Sequence, residues 1–325
     1  MRNSLAYVIV LAAACGKSPG TNMGGPDGSN GSNGSNEPTP TFEIKSTDIL
    51  LPAGTEFTKC FYFHTPNTTT VAVNKWISDL TPGSHHMIMF LNPGGSQPAD
   101  GTIDNNCGIN TGGGTTTNIP VWTFATQTAH LEEDLPADDG TGKPLAQNIP
   151  AHTAGYFQMH YLNASDTDEM VHVDLKAYAL ADGTAYTQTD AYITYVYNFS
   201  VPANTTGYQV NGSCPAPSGS KFWTVSSHTH KQSTDVKIND GTSLVLDSTD
   251  WEHPAVKDWT ATPFYSFASN KVNWTCTYTN STSTAINEGA SAQTNEMCMA
   301  TGYYFPATGP KFNVVIGNGG SCQPL

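Results

Sequence analysis

The run Trp223-Thr-Val-Ser-Ser-His-Thr-His-Lys231 carries two histidines, His228 and His230, separated by a single residue. In an extended strand residues i and i+2 project from the same face, so the two imidazoles can close on one metal ion. That is half of a metal site, and a surface pair of histidines is the competing reading, so the pair gains weight only with partners. Adjacent His85 and His86, in Gly83-Ser-His-His-Met87, would face opposite ways on a regular strand. They can share an ion only at a bend or strand end, which Pro82-Gly83 would supply. His160 lies in Tyr156-Phe-Gln-Met-His-Tyr161, a strongly patterned strand in which a histidine needs a hydrogen-bonding reason to be present. Met297, in Asn295-Glu-Met-Cys298, offers a thioether, and its neighbour Cys298 would point the other way and could close a disulfide behind it. Imidazole suits Cu, Zn and Fe, whereas a thioether selects Cu(I), so the mixed set points to copper. His64, His130, His152, His172 and His253 fit no such set and read as polar surface or hydrogen-bonded core residues.

These donors need a rigid frame, and the composition says which kind. Only 12% of the 325 residues are charged, long apolar helical periods are absent, and short alternating runs are separated by Gly, Pro and Asn. Strands are expected at Phe57 to Phe63, Met87 to Leu91, Tyr156 to Leu162, Val171 to Leu180, Ala191 to Phe199, Lys221 to Val225, Ser243 to Leu246 and Lys271 to Tyr278. The fold class is all-β: two tandem antiparallel β-sandwich, jelly-roll-like domains, 43–200 and 201–325, behind a disordered N-terminal linker. Leu51-Pro-Ala-Gly, Ile149-Pro-Ala-His and Val201-Pro-Ala-Asn read as strand-entry turns. Residues 100–148 read as one long loop, with a short helix-like turn near Leu131 to Leu135. A net charge of -14 excludes a nucleic-acid partner, since nothing here could neutralise a phosphate backbone.

Residues 1–15 read as an export signal: Arg2, an apolar run from Leu5 to Ala14, then Cys15. Leu11-Ala-Ala-Ala-Cys15-Gly resembles a bacterial lipobox, which implies lipidation of Cys15, a cell-envelope location at the outer membrane or cell surface, and a membrane attached only through that anchor. Ala12 stands where the lipobox carries leucine, so plain cleavage after Ala14 into a periplasmic or secreted form is the alternative. Residues 16–42, rich in Gly, Ser and Asn, cannot bury enough apolar surface to order themselves and read as a flexible tether. The remaining cysteines, Cys60, Cys107, Cys214, Cys276, Cys298 and Cys322, are even in number and suit disulfides in an oxidising compartment, though the residues alone leave their pairing open.

Taken in order, Ser84-His-His-Met87, Phe157-Gln-Met-His-Tyr161, Ser227-His-Thr-His230 and Asn295-Glu-Met-Cys298 resemble the copper type II, ascorbate-dependent monooxygenases. That family includes the peptidylglycine alpha-hydroxylating and dopamine beta-monooxygenases, and the resemblance spans roughly residues 46 to 325. It implies two separated mononuclear copper sites: His85, His86 and His160 for electron transfer, and His228, His230 and Met297 for oxygen binding. Gln158 matches a glutamine lying between them. It also implies the disulfides Cys60–Cys107, Cys214–Cys322 and Cys276–Cys298. The implied activity is hydroxylation of an aliphatic or benzylic C–H bond of a small molecule by O2, with two copper ions per chain and ascorbate or an equivalent electron donor. Two departures bear on the substrate. Ser226 stands where the peptide enzyme has a carboxylate-gripping arginine, and Thr301 where it has tyrosine, so a peptide carboxylate would be desolvated without a partner. A copper-sequestering envelope lipoprotein without turnover, and a glycan-binding or adhesive β-sandwich, are the alternatives.

Overall fold

The computed structural model describes residues 38–93, 96–105, 120–289 and 291–325. The described chain is all-β, with no helix. In the first half, the sheet Phe42–Lys45, Val173–Ala179, Val71–Leu80, Leu145–Ile149, Thr187–Gln188 carries His130–Asp134 on Val71–Leu80. Facing it is the sheet Ile103–Asp104, Glu56–His64, Ala154–Leu162, Ser84–Leu91, Val121–Thr126. Alternation drives the pairing. Phe42, Ile44, Val173, Leu175 and Ala177 turn inward from one sheet, and Met87, Met89, Leu91, Phe157 and Met159 from the other, around Trp76 and Phe124.

The second half repeats this plan. Val256–Asp258, Lys221–Thr229, Cys298–Phe305, Asp190–Tyr197, Lys311–Ile316 and Cys322–Pro324 form one sheet. Thr205–Pro215, Lys271–Asn280, Ser233–Asp240 and Ser243–Ser248 form the other, over a core of Tyr192, Val196, Phe222, Trp274 and Tyr278. Pairing is antiparallel except that Thr187–Gln188 runs parallel to Leu145–Ile149 and Asp190–Tyr197 parallel to Lys311–Ile316. Two disulfides, Cys214–Cys322 and Cys276–Cys298, staple these two sheets together, in the pairing the family resemblance implies. Cys60 is buried and disulfide-bonded, while Cys107, Cys15, the export signal and most of the 16–42 linker lie outside the described residues.

Three expectations are corrected. The 131–135 segment is strand, His130–Asp134, because Leu131 and Glu133 alternate inward against Val71–Leu80. The 100–148 stretch is not one loop: it also supplies Ile103–Asp104, Val121–Thr126 and Leu145–Ile149, each too short to show a clear period of two. Sheet membership changes at Thr189, between Thr187–Gln188 and Asp190–Tyr197, rather than near 200. The Val201-Pro-Ala-Asn segment is the strand-entry turn its sequence predicts, leading into Thr205–Pro215 inside the second half and not between the halves.

That turn is one of three built alike, and they aim the strands that matter. Each places its fourth residue at positive φ: Gly54 at 64°, His152 at 45° and Asn204 at 50°. Each is clamped by a buried asparagine whose Nδ2 donates to the carbonyl before the proline: Asn163 to Leu51 (3.2 Å), Asn67 to Ile149 (3.1 Å) and Asn280 to Val201 (3.2 Å). The first turn launches Glu56–His64 and the second Ala154–Leu162, neighbours in the sheet that holds the first histidine set. Asn280 is fully buried and also donates to the carbonyls of Pro202 and Thr284. Asn280→Ala strands these acceptors and is expected to lower stability by about 1–3 kcal/mol, measured as the shift of a urea unfolding midpoint. An unshifted midpoint would show the clamp to be idle.

Candidate metal centre

His86 pairs with His160 across neighbouring strands, and the next pair is Ser84 with Tyr161. His85 is therefore the extra residue of a β-bulge, which leaves two residues of one strand opposite one of the other. The bulge, and not the Pro82-Gly83 bend alone, lets adjacent histidines serve one site. His85, His86 and His160 offer ligand atoms within 4.8 Å of one another. His160 is 1% exposed and His86 is buried, yet His85 Nε2, His86 Nδ1 and His160 Nδ1 have no hydrogen-bond partner. Buried nitrogens without partners are costly, and convergence on a common point is what a bound cation would satisfy.

The opposite edge of His160 explains its orientation. Its Nε2–H donates to Glu56 Oε1 at 2.6 Å, and this bond is the main reason the Glu56 carboxyl sits below its ordinary range. A carboxylate acceptor fixes the proton on Nε2 and leaves the Nδ1 lone pair inward, the usual support behind a metal-ligating histidine. Burial, followed by neighbouring histidines, lowers His85 to about 4 and His86 well below its normal value, so both rings are in the neutral form that ligation requires. Trp251 packs edge-on against His85, with ring centres 5.4 Å apart.

The second set forms at the end of Lys221–Thr229. His228 lies opposite Met299 and Thr229 opposite Cys298, so the two strands end together, with His230 and Met297 just beyond the pairing. His230 is fully buried, and its Nδ1–H donates to the Asn295 carbonyl at 3.2 Å. His228 Nδ1 meets Gln127 Oε1 at 3.1 Å. With both Nδ1 atoms donating, the two Nε2 lone pairs face each other at 3.3 Å. Burial and neighbouring histidines push His228 well below its normal range and His230 to about 3, so no proton sits between them. Two donors that far apart can each stand about 2 Å from one ion. Met297 is buried against Met299, Ile193 and Tyr195 and lines the same cavity as His228.

Glu296 anchors this set. It is fully buried, accepts the backbone N–H groups of His230 (3.1 Å) and Gln232 (2.6 Å), and is raised by burial to about 7. Tyr278 donates to the Met297 carbonyl at 2.6 Å, and Cys276–Cys298 fixes the next residue. Sequence reasoning missed Glu56, Gln127, Glu296 and Trp251. Glu296 adjoins a candidate ligand and could have been weighed, whereas Glu56 and Gln127 are brought in only by strand pairing and by the packing of the two halves.

The expectation of two separated sites is corrected. The ring centres of His86 and His228 are 5.2 Å apart and those of His85 and His228 are 6.2 Å apart. The reason is the contact between halves. Trp223 Nε1 donates to Thr189, Tyr303 to the Thr123 carbonyl, and Trp223, Phe264 and Phe305 complete the first core. Most other histidines are surface partners of carboxylates: His64 with Asp100, His130 with Asp79, His172 with Asp48 and His253 with Asp250. His152 stacks on His64.

A cavity of about 560 Å³ opens beside the centre, lined by His86, His228, Met297 and Gln158 and walled by Trp122, Trp223 and Tyr303. Ser226 and Thr301 are paired across their strands and both face it. A second, smaller cavity of about 180 Å³ reaches His85, His160 and Glu56, and Gln127 borders both.

No family model matches the chain, and no curated protein matches it. Among solved structures it is similar to N-glycanase F (PNGase F) at 8% identity, covering 81% of this chain and 94% of that one, with a TM-score of 0.32. It is also similar to a chain of Sulfolobus Turreted Icosahedral Virus at 11% identity, covering 80% and 59%, with a TM-score of 0.18. At these scores the likeness supplies neither an activity nor a site residue.

Glu56→Ala frees His160 to turn and, if the first set holds a metal ion, is expected to weaken that binding by about 10–100-fold. Competition against a chelator of known affinity reads the change. Unaltered affinity would show that Glu56 does not orient the ligand.

Proposed function

We propose that this chain is a copper-dependent monooxygenase, hydroxylating an aliphatic or benzylic C–H bond of a small molecule with O2 and an ascorbate-type reductant. The observation that carries the reading is the convergence of the unpartnered imidazole nitrogens of His85, His86 and His160 on one another, with His86 and His228 lining the large cavity beside them. A sequestering protein needs the donors but has no use for a substrate-sized space beside them. Copper, when bound, supplies the one-electron chemistry that activates O2. His85, His86 and His160 would hold one ion, and His228, His230 and Met297 another, with the thioether favouring the reduced metal. Overall, one oxygen atom enters the C–H bond and the other leaves as water, drawing two electrons and two protons from the reductant. Gln158 projects on the same face as His160, two residues along, and lines the cavity, where it can bond substrate or ordered water.

The walls select the substrate. Among the residues lining the large cavity none is Lys or Arg, while Glu132, Asp134 and Asp258 are all present. Ser226 and Thr301 add only short hydroxyls. A neutral or cationic molecule with an apolar body suits this space, and a carboxylate does not. The two disulfides accord with an oxidising, extracytoplasmic compartment, and a lipid anchor at Cys15 would hold the catalytic part at the envelope.

Copper-loaded protein with ascorbate is expected to consume O2 in step with hydroxylation when offered small amines and alcohols, and His230→Ala is expected to lose that turnover. Fully loaded protein that neither takes up O2 nor hydroxylates any member of a broad panel would leave sequestration as the function. Desolvation, then Asp258, pushes the Glu133 carboxyl up to about 8 from 4.5. Between those two pH values the unfolded chain releases this proton and the folded chain keeps it, so Glu133 lowers folding stability progressively as pH rises through that window. Glu133→Gln should remove that part of the decline, read as a melting temperature less dependent on pH from 5 to 8. Parallel curves for the two proteins would show the carboxyl to be solvated.

A further inference from the structure

We propose that Glu133 determines which substrates the large cavity takes, by donating a hydrogen bond from its carboxyl group to an uncharged oxygen acceptor, a carbonyl or an ether. The inference rests on the hydroxylase reading above and narrows its substrate class to neutral molecules. Along His130–Asp134 the side chains alternate between two faces. Glu132 and Asp134 lie opposite Ile77 and Lys75, and their carboxylates reach Lys75 Nζ at 2.9 and 3.5 Å. Glu133 lies opposite Trp76, whose side chain sits in the first core, and so turns to the other face. There it lines the cavity together with Leu131, Trp122, Trp223 and Tyr303.

A carboxyl group in this position keeps its proton, because a charge is costly where neither water nor a cation attends it. The cavity lining contains no lysine or arginine. What acts on Glu133 is desolvation, then the negative charge of Asp258 from the Val256–Asp258 strand of the second half, and together they push it up to about 8. Tyr303, from Cys298–Phe305, is the titratable group on the next element. Burial, with the charge of Glu133 second, holds its phenol well above the usual range, and its hydroxyl donates to the Thr123 carbonyl at 3.2 Å. Val71–Leu80 presents Trp76 to this face, with Lys75 and Asp79 on the other. At neutral pH the cavity therefore meets a carboxylic acid, not an anion. An ammonium group would gain its counter-charge only after that proton left, and the other two carboxylates of the strand are engaged by Lys75. A carbonyl or ether oxygen accepts from the acid directly, while Leu131, Trp122 and Trp223 cover the apolar remainder of the molecule.

The test is calorimetric binding of acetophenone, ethylbenzene, benzylamine and benzoate to the full-length protein, without added copper or reductant. Acetophenone is expected to bind most tightly of these at about pH 6.5 and to lose affinity as pH rises past about 8, because it binds the protonated form. Glu133→Gln keeps a donor but cannot ionise, so it should bind acetophenone without that loss. The cavity histidines His86, His228 and His253 are common to both proteins and cancel in the comparison. Glu133→Leu should weaken acetophenone by about 3–10-fold relative to ethylbenzene. An unchanged ratio in Glu133→Leu, or one pH profile shared by the native protein and Glu133→Gln, would overturn the assignment. So would acetophenone failing to bind, or benzylamine binding more tightly with release of a proton, the mark of a carboxylate that recognises a cation. No metal or oxygen enters these measurements, so the hydroxylase reading stands or falls separately, on O2 uptake.

Discussion

Four buried imidazoles and the half-buried His85 pack against one another, the inward nitrogens of His85, His86 and His160 have no protein partner and those of His228 and His230 meet only each other, and the rest of the structure is arranged to tolerate that. A buried ring could relieve the cost by taking a proton, but burial and mutual repulsion hold His85, His86, His228 and His230 in the neutral state. It could also rotate toward a polar neighbour. The outward nitrogens are already committed, His160 to Glu56, His230 to the Asn295 carbonyl and His228 to Gln127. With both escapes closed, the lone pairs point inward, where a cation is the group that satisfies them.

Holding that state requires backbone precision, and the fold supplies it by several independent devices. A bulge at His85 turns neighbouring residues to one side. Clamped proline turns set where the Glu56 and His160 strands begin. Glu296 grips the backbone at His230, and the Cys276–Cys298 bond fixes the residue after Met297 to the opposing sheet. Each acts on main chain rather than on the imidazoles, so the ligand side chains lose little freedom beyond what packing already removes.

Local pattern made much of this legible. Phe57 to Phe63, Tyr156 to Leu162 and Lys271 to Tyr278 announce their strands by alternation, and Glu56–His64, Ala154–Leu162 and Lys271–Asn280 are those strands extended by a few residues. His85, His86, His160, His228 and His230 lie together, and of that grouping local pattern fixes only the His-x-His pair on its strand. What stayed hidden depends on tertiary contact. His130–Asp134 is polar enough to read as loop, since one face of it borders a cavity rather than a packed core. Glu56 and Gln127 are distant in sequence from the histidines they hold. The distance between the two sets depends on Trp223, Phe264 and Phe305 completing the core of the other half, and no short-range period records that.

The same contact limits what the cavity can take. Ser226 and Thr301 face each other across paired strands, so shortening both side chains widens one spot on the wall instead of two. Where a guanidinium would have offered a fixed fork to a carboxylate, the surface offers hydroxyls, and the nearest charges in the lining are acidic. In a space walled by Trp122, Trp223 and Tyr303 the local dielectric is low, which magnifies the repulsion of an anion. The carboxylates of this wall, Glu132, Asp134 and Asp258, come from strands of different halves of the molecule. The packing that gathers the histidines also closes the cavity beside them, so a substitution that loosened the Trp223–Thr189 contact would disturb the histidine spacing and the cavity shape together.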